Sequence, residues 1–191
     1  MLMNSPNSTS AAEGRYFIAI LPPKEIAEEL DAHKKYCAEQ FNSKASLRSP
    51  AHITLTMPFL WKEKKEQKLM DTLNEFCKTK KNFSVSLTGF DAFAPRVIYA
   101  KVEQNIQLLN FQKELAYWLR VKANLFHPNR YDLPYHPHLT LAFRDLKKEM
   151  FNEAYTHFQK ITCFYQWQVS SITLLKQENK IWLGHKNIPL N

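Results

Sequence analysis

Two histidines each stand two residues ahead of a threonine in closely matched settings, His52-Ile53-Thr54-Leu55 and His138-Leu139-Thr140-Leu141. In an extended strand, side chains alternate between faces. Each His therefore shares a face with its Thr, while Ile53, Leu55, Leu139 and Leu141 turn to the other. An imidazole gives or takes a proton near neutral pH, and a hydroxyl donates a hydrogen bond to a phosphate oxygen. Two such pairs around one small anion could run an in-line displacement at phosphorus. One His would take a proton from the attacking water and the other would protonate the departing oxygen, while Thr54 and Thr140 held the charge between them. The residues leave open which His is base and which is acid. Thr56 shares the face too, as strand threonines often do by propensity alone.

Each motif needs a strand to carry it and a fold to bring the two together. Residues 16–21 form a short apolar run ending at Pro22-Pro23, which reads as a buried strand. Apolar residues at near-helical spacing follow over 24–41, with Pro23 suited to the first turn. A loop leads to the first motif, and 64–80 is a second amphipathic helix. Strands are expected at 83–87 and 97–102, joined by a turn region around Gly89 and Pro95, with a third helix over 105–122. A polar loop over 124–137 precedes the second motif. A fourth helix over 148–159 and strands over 165–175 and 180–188, turning at Gln177-Glu178-Asn179, complete the chain. The second half roughly repeats the first, with a His motif on a strand in each. That pattern predicts an α+β fold of two similar lobes flanking a cleft.

The chain of 191 residues suits one domain over 15–191, and its polar start over 1–14 reads as a disordered tail. No apolar run is long enough to span a bilayer, so no membrane association is expected. Cys37, Cys77 and Cys163 are odd in number and widely spaced, which fits buried thiols in a reducing cytoplasm. The formal charge of +8 favours anionic partners. His136-Pro137-His138, with His127 and Asp132 nearby, invites a metal reading. Zinc takes three or four ligands and no matching cluster surrounds His52, so neither metal nor cofactor is expected.

These motifs and their surroundings resemble the 2H phosphoesterase superfamily, specifically the bacterial 2′-5′ RNA ligase / RNA 2′,3′-cyclic phosphodiesterase group. Arg15-Tyr16-Phe17-Ile18-Ala19-Ile20 before Pro22-Pro23 is similar to that family's opening strand. Arg96-Val97-Ile98-Tyr99-Ala100 is similar to the strand leading into its third helix, and Arg130 ahead of Pro137-His138-Leu139-Thr140-Leu141 to its approach to the second motif. The resemblance covers roughly 15–188. It implies a bilobal fold of two pseudo-symmetric antiparallel-sheet lobes with helices outside and a central cleft. It also implies metal-independent phosphodiester chemistry with His52 and His138 catalytic and Thr54 and Thr140 binding phosphate.

Relatives often carry Arg five positions past the second His, where this chain has Phe143, with Arg144 next. Strand alternation would return Arg144 to the His138 face if the strand extends that far. Arg130, Tyr135 and Arg144 are the named substrate contacts. Arg48 and Lys101 are further phosphate candidates, and Tyr16, Phe17 and Tyr131 could stack on a base. The expected function is hydrolysis of 2′,3′-cyclic phosphate ends of RNA or nucleotides by a monomer, with reversible 2′-5′ ligation as a companion activity. A non-catalytic RNA-binding module, or a phosphodiesterase for another small cyclic nucleotide or a 2′-5′ oligonucleotide, stays open beside it.

Overall fold

A computed structural model describes residues 12–125 and 134–191. The chain runs β1 (Glu13–Ile20), α1 (Lys24–Phe41), β2 (Ile53–Thr54), β3 (Phe59–Lys62), α2 (Glu66–Cys77), β4 (Phe83–Phe93), β5 (Val97–Val102), α3 (Ile106–Ala123), β6 (His138–Ala142), α4 (Lys148–Gln159), β7 (Phe164–Val169), β8 (Ser171–Glu178) and β9 (Ile181–Pro189). Among the described residues, nine strands form one antiparallel sheet in the order β7-β4-β5-β6-β2-β1-β8-β9, with β3 continuing along β1 beyond β2. This is an α+β fold with two similar halves, β6-β5-β4-β7 and β2-β1-β8-β9. They join edge to edge where β2 meets β6.

The repeat is visible in the chain as β1-α1-β2-α2-β4 and again as β5-α3-β6-α4 leading through β7 to β8. The outer strands are exchanged. β4, from the first repeat, pairs with β5 and β7, while β8, from the second, pairs with β1 and β9.

Alternation decides which side chains go inward. Tyr16, Ile18 and Ile20 join Ile53, Leu139 and Leu174 in a large cluster under the helices. Leu30, Cys37 and Phe41 of α1 and Leu69, Leu73 and Phe76 of α2 pack there, as do Phe111 and Leu115 of α3 and Phe151 and Phe158 of α4. Phe17, Ala19 and Leu175 lie in a separate small cluster with Leu21 and Trp182. The sheet therefore keeps one face for the core and leaves the other to Phe17 and its neighbours.

Four local expectations change. The strand expected over 165–175 is two, β7 and β8, broken at Ser170, because β7 joins β4 while β8 crosses to β1. Gly89 lies inside β4 at φ +84, where the register against β5 shifts between Leu87 and Phe90. It relieves a bulge and does not form the turn. The β8–β9 turn falls at Asn179 and Lys180, both at positive φ as a tight hairpin requires. Finally, β3 was not expected. It follows an irregular step in which Leu55 and Thr56 both donate backbone N–H groups to Ile18 O, while Thr56 Oγ1 accepts from Ile18 N–H at 3.0 Å. Thr56 is thereby fixed in a structural role.

Candidate active site

The two motifs meet because β2 and β6 pair antiparallel with Ile53 opposite Leu139. In that register His52 stands across from Thr140 and Thr54 across from His138. The four side chains share the face away from Ile53 and Leu139, which are fully buried in the core. The histidines sit on one diagonal and the threonines on the other, with Cα atoms on a diagonal about 7–8 Å apart.

The imidazoles are anchored alike. His52 Nδ1 lies 2.7 Å from the Pro50 carbonyl and His138 Nδ1 lies 2.7 Å from the His136 carbonyl. A carbonyl only accepts, so in each ring Nδ1 carries the proton. Each Nε2 is then the atom left to take a proton from a ligand or to give one to it. The segments before the motifs, Ser49-Pro50-Ala51 and Tyr135-His136-Pro137, supply these carbonyls two residues ahead of each ring.

Aromatic rings flank both. Phe17 lies 4.9 Å from His52 and in turn contacts Trp182 at 4.7 Å, edge to face. Tyr99 and Phe93 each lie 5.2 Å from His138. Apolar neighbours disfavour the charged imidazole. Burial is the main cause holding His52 down at about 4, opposed by its bond to the Pro50 carbonyl. The Lys34 and His138 charges push the same way as burial and Asp31 pushes back. Burial likewise lowers His138, against its bond to the His136 carbonyl. Neither Thr54 nor Thr140 spends its hydroxyl on an intramolecular hydrogen bond among the described residues, and both are half-buried.

Of the other expected contacts, Arg130, Tyr131, His127 and Asp132 lie outside the described residues. Tyr135 donates from its hydroxyl to the Thr54 carbonyl at 2.9 Å, so it ties the approach of the second motif to the strand of the first. Arg144 follows the end of β6 at Ala142 in left-handed backbone, φ 60, with its guanidinium over the Phe143 ring. Strand alternation therefore does not govern its direction. Lys101 is exposed and pairs in register with His138. Arg48 ends a short 3₁₀ turn (Ala45–Arg48) before the first motif.

Tyr16 is not at the site: it is fully buried under the helices and hydrogen-bonded to Glu66. Its neighbour Phe17 faces the histidine, as alternation requires. Trp182, Phe93 and Tyr99 escape a sequence reading because only long-range strand order brings them to the motifs. Arg15, with its guanidinium 5.6 Å from the Trp182 ring, extends the same row. Among the described residues no group of three or more His, Cys, Asp or Glu side chains is placed to hold a metal ion.

Comparison with known proteins agrees with this architecture. The profile of the 2′-5′ RNA ligase superfamily matches residues 22–181. A Bacillus mycoides protein and a Bacillus cereus protein, each named "putative phosphoesterase", are 24% identical over 176 residues, 91% of this chain and 95% of theirs. Among solved structures, E. coli LigT complexed with 3′-AMP superposes with a TM-score of 0.67 at 20% identity, covering 94% of this chain and 99% of that one. TT0787 of Thermus thermophilus gives 0.65 at 18% identity, covering 92% and 97%. These likenesses establish a shared fold.

Proposed function

Because the chain belongs to the 2′-5′ RNA ligase superfamily, we propose that it is a metal-independent phosphodiesterase that opens 2′,3′-cyclic phosphate ends of RNA or nucleotides, and that it can run the related 2′-5′ joining reaction. The observation that carries this reading is the pairing of Ile53 with Leu139, which puts two Nδ1-anchored imidazoles and the hydroxyls of Thr54 and Thr140 on one face of two paired strands.

In hydrolysis, Nε2 of one neutral His takes a proton from water as the water oxygen bonds to phosphorus. The bond from phosphorus to one ribose oxygen breaks, and Nε2–H of the other, protonated His supplies the proton that makes it a hydroxyl. The product is a phosphomonoester. In joining, a ribose 5′-hydroxyl replaces water, the same proton transfers apply, and the bond to the 3′-oxygen breaks. Thr54 and Thr140 donate to the non-bridging oxygens as charge gathers there, and holding the group from both strands fixes its alignment. Two imidazoles account for both proton transfers, so the scheme needs no metal. That LigT has been crystallised with 3′-AMP and with ATP supports a nucleotide ligand.

The test is turnover of a 2′,3′-cyclic-phosphate oligonucleotide in the presence of a chelator. Wild type should cleave it, and His52→Ala and His138→Ala should each lose about 10²- to 10⁴-fold in kcat. Thr54→Val or Thr140→Val should lose about 10²-fold. Binding without turnover by wild type would identify an RNA-binding module instead.

A further inference from the structure

The buried stripe of α1 runs Leu30, Lys34, Cys37 and Phe41, an apolar row interrupted by one lysine. Lys34 is only 2% exposed. An ammonium in that position is costly unless something holds it. Its Nζ forms an ion pair with Asp31 Oδ1 at 2.9 Å and donates to the Ser49 carbonyl at 3.0 Å. Ser49 is bonded to Pro50, whose carbonyl accepts from His52 Nδ1. The lysine thus grips the segment that orients the first imidazole, one peptide away from the anchoring carbonyl.

We infer that the Asp31–Lys34 pair is a positioning device for His52, fixing the Ser49–Pro50 step that aims its ring and setting the charge that the ring faces. The inference rests on the reading of His52 as a proton-transfer residue. A leucine at position 34 would fill the stripe but leave the Ser49 carbonyl without this donor and the ring without a neighbouring charge. Among the described residues, the charged and titratable groups acting on His52 are Lys34 and Asp31 from α1 and His138 from β6. Phe17 of β1 contributes an uncharged ring. Lys34 disfavours the imidazolium and Asp31 favours it, so removing each should move the ring in opposite directions. The opposed shifts read the charge of the pair, and the kcat loss below reads its hold on the ring.

The experiment follows His52 ring C–H resonances by NMR across a pH titration of the full-length chain without substrate. In Lys34→Met the His52 midpoint should rise, and in Asp31→Asn it should fall. Each change corresponds to about a threefold change in the ratio of neutral to charged ring at fixed pH. Lys34→Arg should restore the wild-type midpoint. The His138 midpoint serves as the internal control and should move less. With a cyclic-phosphate substrate, Lys34→Met should lower kcat about tenfold while KM changes less than about twofold.

Shifts in the same direction, or none in a folded variant, overturn the inference. If Lys34→Met does not fold, Asp31→Asn decides: a lowered midpoint supports the device and an unchanged one refutes it. Because the titration needs no turnover, a failure of the proposed reaction would show in the kinetics alone and leave this outcome readable.

Discussion

At the scale of residues, the candidate site is two imidazoles whose surroundings favour the neutral ring. Burial holds His52 down at about 4 and lowers His138 below the ordinary histidine value of 6.5. In the reaction we propose, the acid of the pair must carry a proton, and in the free protein both rings are held below 6.5. As pH rises through that pKa the protonated fraction falls, toward tenfold per unit. The base must be neutral, and as pH falls below its own pKa that form is lost. Both limbs of a plot of kcat/KM against pH therefore belong on the acid side of 6.5. A bound phosphate anion favours the imidazolium, so the limbs of kcat, which report the complex, should lie at higher pH. Steady-state rates between about pH 4 and 9 check this, and a kcat/KM optimum above pH 7 would contradict it. The pairing of types His-x-Thr is legible from sequence because alternation along a strand is a local rule. The Nδ1 anchors are not, since they depend on how Pro50 and His136 fold back.

At the scale of elements, the two motif strands are short and are held by contacts beyond their own ladder. Asp145, just after β6, accepts from the Lys44 and Ala45 backbone N–H groups at 2.8 and 2.9 Å and from the Ser43 hydroxyl at 2.9 Å. It thereby caps the 3₁₀ turn that leads to the first motif. Asp145→Ala should cost about 1–2 kcal/mol, a fall of roughly 3–6 °C in Tm by circular dichroism. An unchanged Tm would remove Asp145 from this role.

On the other half, α2 is fastened to the sheet through Glu66, which accepts from Tyr16 Oη at 2.7 Å and from His185 Nε2 at 2.7 Å. Burial pushes the Glu66 carboxyl up, but the bonds from His185 and Tyr16 outweigh it and hold it below its ordinary value. Its stabilisation is thus present above about pH 4.5 and lost as pH falls through the lower, folded-state value. Denaturant titrations at pH 7 and in that acid window should show wild type losing more stability than Glu66→Gln does. Helices such as α1 and α3 are legible because apolar spacing repeats. The β7–β8 break and the bulge at Gly89 are not, because strand partners far along the chain dictate them.

At the scale of the molecule, exchange of the outer strands makes each half depend on the other. The repeat in the sequence suggests two similar units, and a naive division after β4 would give one lobe from each. The register forbids this: β4 finds its partners β5 and β7 only in the second part, and β1 finds β8 there. Residues 12–94 alone would carry β4 with neither neighbour, and 95–191 alone would carry β8 without β1. Each fragment would expose a sheet edge and apolar side chains that belong to one core. The cut itself is mild, since Phe93 to Arg96 form an exposed turn. Separately, the fragments should show little cooperative thermal unfolding. Mixed at equal concentration, they should regain a cooperative transition and, with His52 on one piece and His138 on the other, the cyclic-phosphate turnover proposed for the intact chain. A cooperative transition from either fragment alone would mean that a half folds without its exchanged strand, and the dependence argued from β4 and β8 would fail.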